Sequence, residues 1–197
     1  MDYINYKDNK IHKTAIVDFK NLTIGTGNII GPYSIIAGEA QHSKKKTVGK
    51  VVIGNNNIFR EFFSIHRPVE KKGITKIGNK SVFFSNVQIN HDCILEDNIY
   101  IASNCVLGGH VYVMKGASFG FGVIIHPKKI IGSYSMLGMG SVALKKNKIE
   151  PGKTYAGNPA QFIKDNNHGL KIKSINLKVI ESERKRYKNL CKIREIF

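Results

Sequence analysis

From Ile77 to Tyr155 every sixth residue is apolar: Ile77, Phe83, Ile89, Leu95, Ile101, Leu107, Val113, Phe119, Ile125, Ile131, Leu137, Ala143, Ile149 and Tyr155. Only about half of the residues in an ordinary chain are apolar, so an unbroken run at one spacing is a repeat rather than a coincidence. A period of six residues suits neither an α-helix nor a plain alternating strand. It predicts a parallel β-helix of hexapeptides, each hexad supplying a short strand and a corner. Four places after the apolar mark stand small or β-branched residues, Val87, Cys93, Cys105, Val111, Ala117, Val123, Ser135 and Ser141, which suit an inward position at a tight corner. Three hexads make one triangular coil, so residues 18 apart stack, about 4.8 Å from coil to coil.

Upstream the register continues with interruptions. Ile24, Ile30 and Ile36 form one set, Ile53, Phe59 and Ile65 another, and Ile11 and Val17 lie one residue out of phase, with a correction near Asn21. Between the sets lies Gly38 to Lys50, with the polar run Gln41-His42-Ser43-Lys44-Lys45-Lys46; a second break runs from Arg67 to Thr75. Both read as loops projecting from the helix, near 38–50 and 67–75. Gly157-Asn158-Pro159-Ala160 is expected to close the last coil. From about Ser174 the spacing of Leu177, Ile180, Tyr187, Leu190 and Cys191 is helical, with Glu181, Glu183, Arg184 and Lys185 on the remaining surface. The expected organisation is an all-β helix over 1–163 and a short α-helical tail over 164–197 that caps the open end of the solenoid.

The polar N-terminus and the lack of any long apolar run predict a cytoplasmic chain with no signal peptide and no transmembrane segment. Three cysteines without Cys-x-x-Cys spacing, two of them on inward hexad positions, read as buried structural thiols. The net charge of +17 comes mostly from lysine in a chain also rich in Asn and Ile, with no groove-reading helix and no RNA-binding signature. Nucleic acid is therefore disfavoured. An acidic partner or a phosphorylated substrate fits better, because lysine-rich loops raise the encounter rate with anions.

The histidines carry the chemistry. Ile89, Leu107 and Ile125 stack, and His91, His110 and His126 follow them by two, three and one residues. If the second loop absorbs six residues, Ile65 joins the stack and brings His66. Three histidines invite a zinc reading, but a hexapeptide zinc trio is expected to include a His-x4-His pair, and this chain has none. No metal is expected. A neutral imidazole can instead take the proton from a sugar hydroxyl as it attacks a thioester. His91 is the candidate base, Asp92 the carboxylate that would fix its tautomer if the two share a corner, and Gly109 an unhindered backbone donor for the oxyanion.

The run Asn86-Val87-Gln88-Ile89-Asn90-His91-Asp92-Cys93, followed by Leu107-Gly108-Gly109-His110-Val111, resembles the core of the UDP-N-acetylglucosamine O-acyltransferases that start lipid A synthesis. Gly38-Glu39, Ser64-Ile65-His66-Arg67 and Asn166 with Gly169-Leu170-Lys171 occur in the same order as in that family. The resemblance implies a left-handed β-helix, a homotrimer with its site between subunits, and transfer from an acyl carrier protein thioester with no bound cofactor. It implies His91 as general base, Asp92 as its neighbouring carboxylate and Gly109 as oxyanion donor. His66, His110 and His126 fall on substrate-binding positions, Asn166 on a nucleotide-sugar contact, and Lys45 on the loop where an acidic carrier protein would dock.

The chain also departs from the family pattern. Gln88 stands where a histidine is usual, Ser43 where an aspartate is, Pro127 where a glutamine is, and Ile172 at an arginine position with Lys173 beside it. Roughly five N-terminal hexads are missing relative to that family, and the helical tail is reduced to about one helix. Met139 occupies a position that closes the acyl groove and is often glycine, which predicts a short or medium acyl group. The competing expectations are an acetyl-CoA-dependent sugar O- or N-acetyltransferase, for which the compact length and Gly157-Asn158-Pro159-Ala160 speak, and a silent hexapeptide scaffold, against which the His91-Asp92 and Gly109-His110 pairs speak.

Overall fold

The apolar hexads all turn inward. In the computed structural model, which describes residues 2–195, every one of them from Ile77 to Tyr155 is at most 5% exposed. Each such Leu, Ile or Phe contributes about 1.5–3 kcal/mol on burial, so the ladder is itself the core. The chain winds as a left-handed parallel β-helix with three faces. On the first face Ile11, Ile30, Phe59, Phe83, Ile101, Phe119, Leu137 and Tyr155 are successive register partners. The second face stacks Val17, Ile36, Ile65, Ile89, Leu107, Ile125 and Ala143. The third stacks Ile24, Ile53, Ile77, Leu95, Val113, Ile131 and Ile149.

Small inward groups occupy the corners as their size demands. Cys93, Cys105, Val111, Ala117, Val123, Ser135 and Ser141 are all 0% exposed, and burial pushes the Cys93 thiol up to about 12 and the Cys105 thiol up to about 11. These thiols are packing groups rather than nucleophiles. Between the third and first faces, Asn9, Asn28 and Asn57 are buried in a ladder in which the Asn28 amide donates to Asn9 Oδ1 at 2.8 Å and the Asn57 amide to Asn28 Oδ1 at 3.0 Å.

Two segments without strands, 39–50 and 67–74, leave the helix at one place, the corner between the second and third faces. Val48 N–H donates to Pro68 O at 2.8 Å, and Lys45 pairs with Glu70, so the loops brace each other over that corner.

The C-terminal region differs from expectation in three ways. Lys153–Ala156 and Gln161–Asp165 form an antiparallel hairpin turned by Gly157-Asn158-Pro159-Ala160, which the hexad pattern does not foreshadow. A short helix α1, Asn167–Ile172, precedes the long helix α2, Leu177–Glu195. Finally, α2 lies along the third face instead of capping the end. There Tyr112 and Ile130 point outward beside the buried Met114, and Tyr187, Leu190 and Cys191 cover them. Glu183, expected on the surface, is only 5% exposed; Ser133 donates to it and Lys115 pairs with it at 2.9 Å. Its burial opposes ionisation, but these donors outweigh burial and hold its carboxyl below the usual range. Leu177, expected on the apolar stripe, is 75% exposed. Arg186 reaches Glu96 and Arg194 reaches His110, so α2 crosses the third face diagonally and ends at the corner from which the loops project.

Candidate active site

That corner repeats every 18 residues, and its three positions are filled differently in successive coils. Asn90, Gly108 and His126 share the first, His91, Gly109 and Pro127 the second, and Asp92, His110 and Lys128 the third. The third position has left-handed backbone, with φ of 59°, 62° and 63° for these residues. Such a turn redirects consecutive side chains, so the neighbours His91 and Asp92 can face each other as they could not within a strand.

His91 Nδ1 lies 2.9 Å from Asp92 Oδ2. Asp92 is 5% exposed, and the same oxygen accepts from the Val69 N–H at 3.0 Å, while the Asp92 N–H donates to Thr75 Oγ1 at 2.8 Å. The carboxylate is thus locked from the second loop. An ionised Asp92 makes Nδ1 the protonated nitrogen and leaves Nε2 with its lone pair. Gly109 lies against the ring: a Cβ built there would stand 2.5 Å from His91 Cε1 and 2.6 Å from Nε2, so only glycine fits. Among the described residues the Gly109 N–H has no acceptor, and its carbonyl receives the Lys128 N–H at 2.8 Å.

His110 stands one coil on, its ring edge-on to His91 with centroids 5.2 Å apart and Nε2 3.9 Å from Asp92 Oδ2. Burial pushes its pKa down, and the Asp92 charge works against that shift. On the other side the His42 ring packs against His91 at 5.5 Å, its Nδ1 accepting from the Lys44 and Lys45 N–H groups at 3.1 Å each. Together these groups open into a cavity of about 1030 Å³ lined by His42, Lys45, Glu70, His91, Gly109, His110, His126, Pro127, Lys128, Lys145 and Arg194. The volume suits a substrate larger than a simple metabolite. His91, Asp92 and His110 also bring ligand atoms within 4.8 Å of one another, a donor set that could hold a divalent cation in competition with the His91–Asp92 hydrogen bond.

The cavity gathers His91, Gly109, His110, His126 and Lys45, with Asp92 directly behind. His66 and Gln88 lie on the same stripe outside the cavity lining. His66 is 4% exposed with Nδ1 3.3 Å from Asn90 Oδ1, and Gln88 donates to that oxygen at 3.0 Å and to Gln41 Oε1 at 2.8 Å. Two site residues are not brought here by this chain. Asn166 caps α1, accepting from the Gly169 N–H and donating to Tyr134 O at 2.9 Å, at the corner between the third and first faces. Met139, 72% exposed, sits at the corner between the first and second faces. Sequence reasoning missed His42, Glu70, Lys128, Lys145 and Arg194. Lys128 and Lys145 had a signal, being 18 residues beyond His110 and Pro127; the others arrive through loop closure and helix docking.

No family profile matches the chain. It is 36% identical over 171 residues to the acyl-[acyl-carrier-protein]--UDP-N-acetylglucosamine O-acyltransferase of Burkholderia orbicola, a match spanning 86% of this chain and 64% of that protein. The chain resembles the UDP-N-acetylglucosamine O-acyltransferases. The enzyme of that name from Paraburkholderia phymatum is 37% identical over 84% of the chain and 63% of its own length. The chain therefore spans less than two thirds of these relatives. Among solved structures, the Arabidopsis UDP-N-acetylglucosamine acyltransferase superposes with a TM-score of 0.77 at 28% identity, over 92% of this chain and 70% of that one.

Proposed function

We propose that the chain is an acyltransferase that moves an acyl group from an acyl carrier protein thioester to a hydroxyl of UDP-N-acetylglucosamine or a related amino-sugar nucleotide, as at the start of lipid A synthesis. The observation that carries this reading is the His91–Asp92 dyad facing a glycine backbone inside a large basic cavity. His91 Nε2 takes the proton of the attacking hydroxyl, whose oxygen bonds to the thioester carbonyl carbon. Asp92 stabilises the imidazolium, and the Gly109 N–H is free to donate to the oxyanion. Collapse of the tetrahedral adduct breaks the carbon–sulfur bond, and the departing thiolate receives the proton from His91. The resemblance to relatives named for this acceptor and donor supports the assignment.

The reading includes a cytoplasmic homotrimer. Ile16, Ile35 and Ile124 on the second face and Tyr33, Phe62, Phe121 and Met139 at the adjoining corner are large, apolar and exposed, a surface that self-association would cover. A neighbouring subunit could then supply Met139 or Asn166 to a cavity that this chain leaves open. No helix among the described residues is long and apolar enough to cross a membrane.

Mass spectrometry of products from a donor panel tests the assignment: acyl carrier proteins of several chain lengths and acetyl-CoA, each offered with UDP-N-acetylglucosamine. Acylated sugar nucleotide from a carrier protein is the expected result. A product from acetyl-CoA alone would replace this reading with a sugar acetyltransferase.

A further inference from the structure

The cavity holds more positive charge than the chemistry of a general base requires. Lys45, Lys128, Lys145 and Arg194 all line it. Lys45 is matched by Glu70, whose carboxyl that ammonium holds below the usual range. Among the described residues neither Lys145 nor Arg194 has a carboxylate within ion-pair reach. Arg194 is half-buried at the end of α2, with Nη1 donating to His110 O at 2.9 Å and the guanidinium 5.2 Å from the centre of the Tyr112 ring. One carbonyl and one ring face satisfy a small part of a group with five N–H donors. Burial of this guanidinium disfavours its charge, a cost that an incoming anion would offset.

The placement is specific. Arg194 touches the backbone of His110, the residue stacked over Asp92, while Lys128 occupies the equivalent corner one coil further on and Lys145 belongs to the last coil. The cations therefore lie on one side of the dyad, toward the C-terminal coils. We infer that Arg194, Lys128 and Lys145 form an anion subsite beside the His91–Asp92 dyad, built by the docking of α2, that takes a phosphate group of the substrate. Resting on the acyl-transfer reading, that group is either the diphosphate of the sugar nucleotide or the phosphodiester of a carrier's thiol arm. A planar guanidinium fits two oxygens of such a group at once, and the lysines add point charges. The subsite makes α2 part of the binding machinery as well as a cover for the third face.

Calorimetric titration of the full chain with inorganic pyrophosphate tests the subsite without needing turnover. Arg194→Gln and Lys145→Gln should each weaken pyrophosphate binding, Arg194→Gln by about tenfold or more, and Arg194→Lys should restore part of the loss. Lys145→Gln leaves α2 untouched, so it keeps the test valid if Arg194→Gln undocks the helix. Unchanged affinity in Lys145→Gln and in a folded Arg194→Gln would overturn the inference. Steady-state kinetics then identify the source of the phosphate. A raised KM for the sugar nucleotide assigns the diphosphate, a raised KM for the donor assigns the phosphodiester, and no change in either overturns the subsite. A wild-type chain inactive with both substrates would instead sink the acyl-transfer reading, while the pyrophosphate titration would still decide the subsite.

Discussion

His91 and Asp92 are consecutive in the chain, yet His91 Nδ1 lies 2.9 Å from Asp92 Oδ2. The left-handed backbone of Asp92, with φ of 59°, makes this possible by turning the carboxylate back toward the preceding ring. The second loop then fixes the carboxylate through the Val69 N–H, so the base depends on a loop that is remote from it in sequence.

His91→Ala should lower turnover by about 100-fold or more while leaving the fold intact. Single-turnover rates with an acyl carrier protein donor, alongside a circular dichroism melt, provide the check. Near-normal turnover would remove His91 from the mechanism.

Gly109→Ala places a methyl group 2.5 Å from His91 Cε1, and the ring has to move. Small displacements of a catalytic group are costly, so kcat should fall by about 100-fold. KM should change little, and a crystal structure of the variant should show a displaced imidazole. An unperturbed ring with full activity would contradict the close approach.

Burial lowers the His66 pKa below its ordinary value of 6.5, with the Asn90 hydrogen bond opposing the shift. On acidification the unfolded chain takes up this proton first. The contribution of the neutral buried ring is complete above 6.5 and is lost as pH falls through the lower folded-state value. Urea midpoints should therefore fall between about pH 8 and pH 5, and His66→Gln should flatten that slope. Parallel profiles for the two proteins would refute the assignment.

Tyr187 is 6% exposed and packs on Met114 and Ile130. Tyr187→Ala should cost about 3 kcal/mol and loosen α2 from the third face. Hydrogen exchange should then rise over α2 while the coils stay protected.

Met139→Gly should shift donor preference toward longer acyl chains. Met139 lies at a different corner from His91 in this chain, so the effect requires a neighbouring subunit. A monomer by analytical ultracentrifugation, or an unchanged chain-length profile in a trimer, would end the groove argument.

The sequence determined the coil by itself, because a hexad is a local unit. Each apolar mark needs only its own strand and corner to point inward, and equal spacing stacks one coil on the next. The same register placed His91, Gly109, His110 and Asp92 at a shared corner before any contact was known. His42, Glu70 and Arg194 lie outside that register. Their positions depend on loops 39–50 and 67–74 bracing each other and on α2 finding the apolar outer surface around Tyr112 and Ile130. Glu183 shows the limit most clearly: a charged residue on a helix reads as solvent-facing, and only Ser133 and Lys115 arriving from distant parts of the chain make it a buried one. Periodicity is written locally, whereas the walls of the cavity are decided by contacts between segments far apart in sequence, and those exist only once the solenoid has formed.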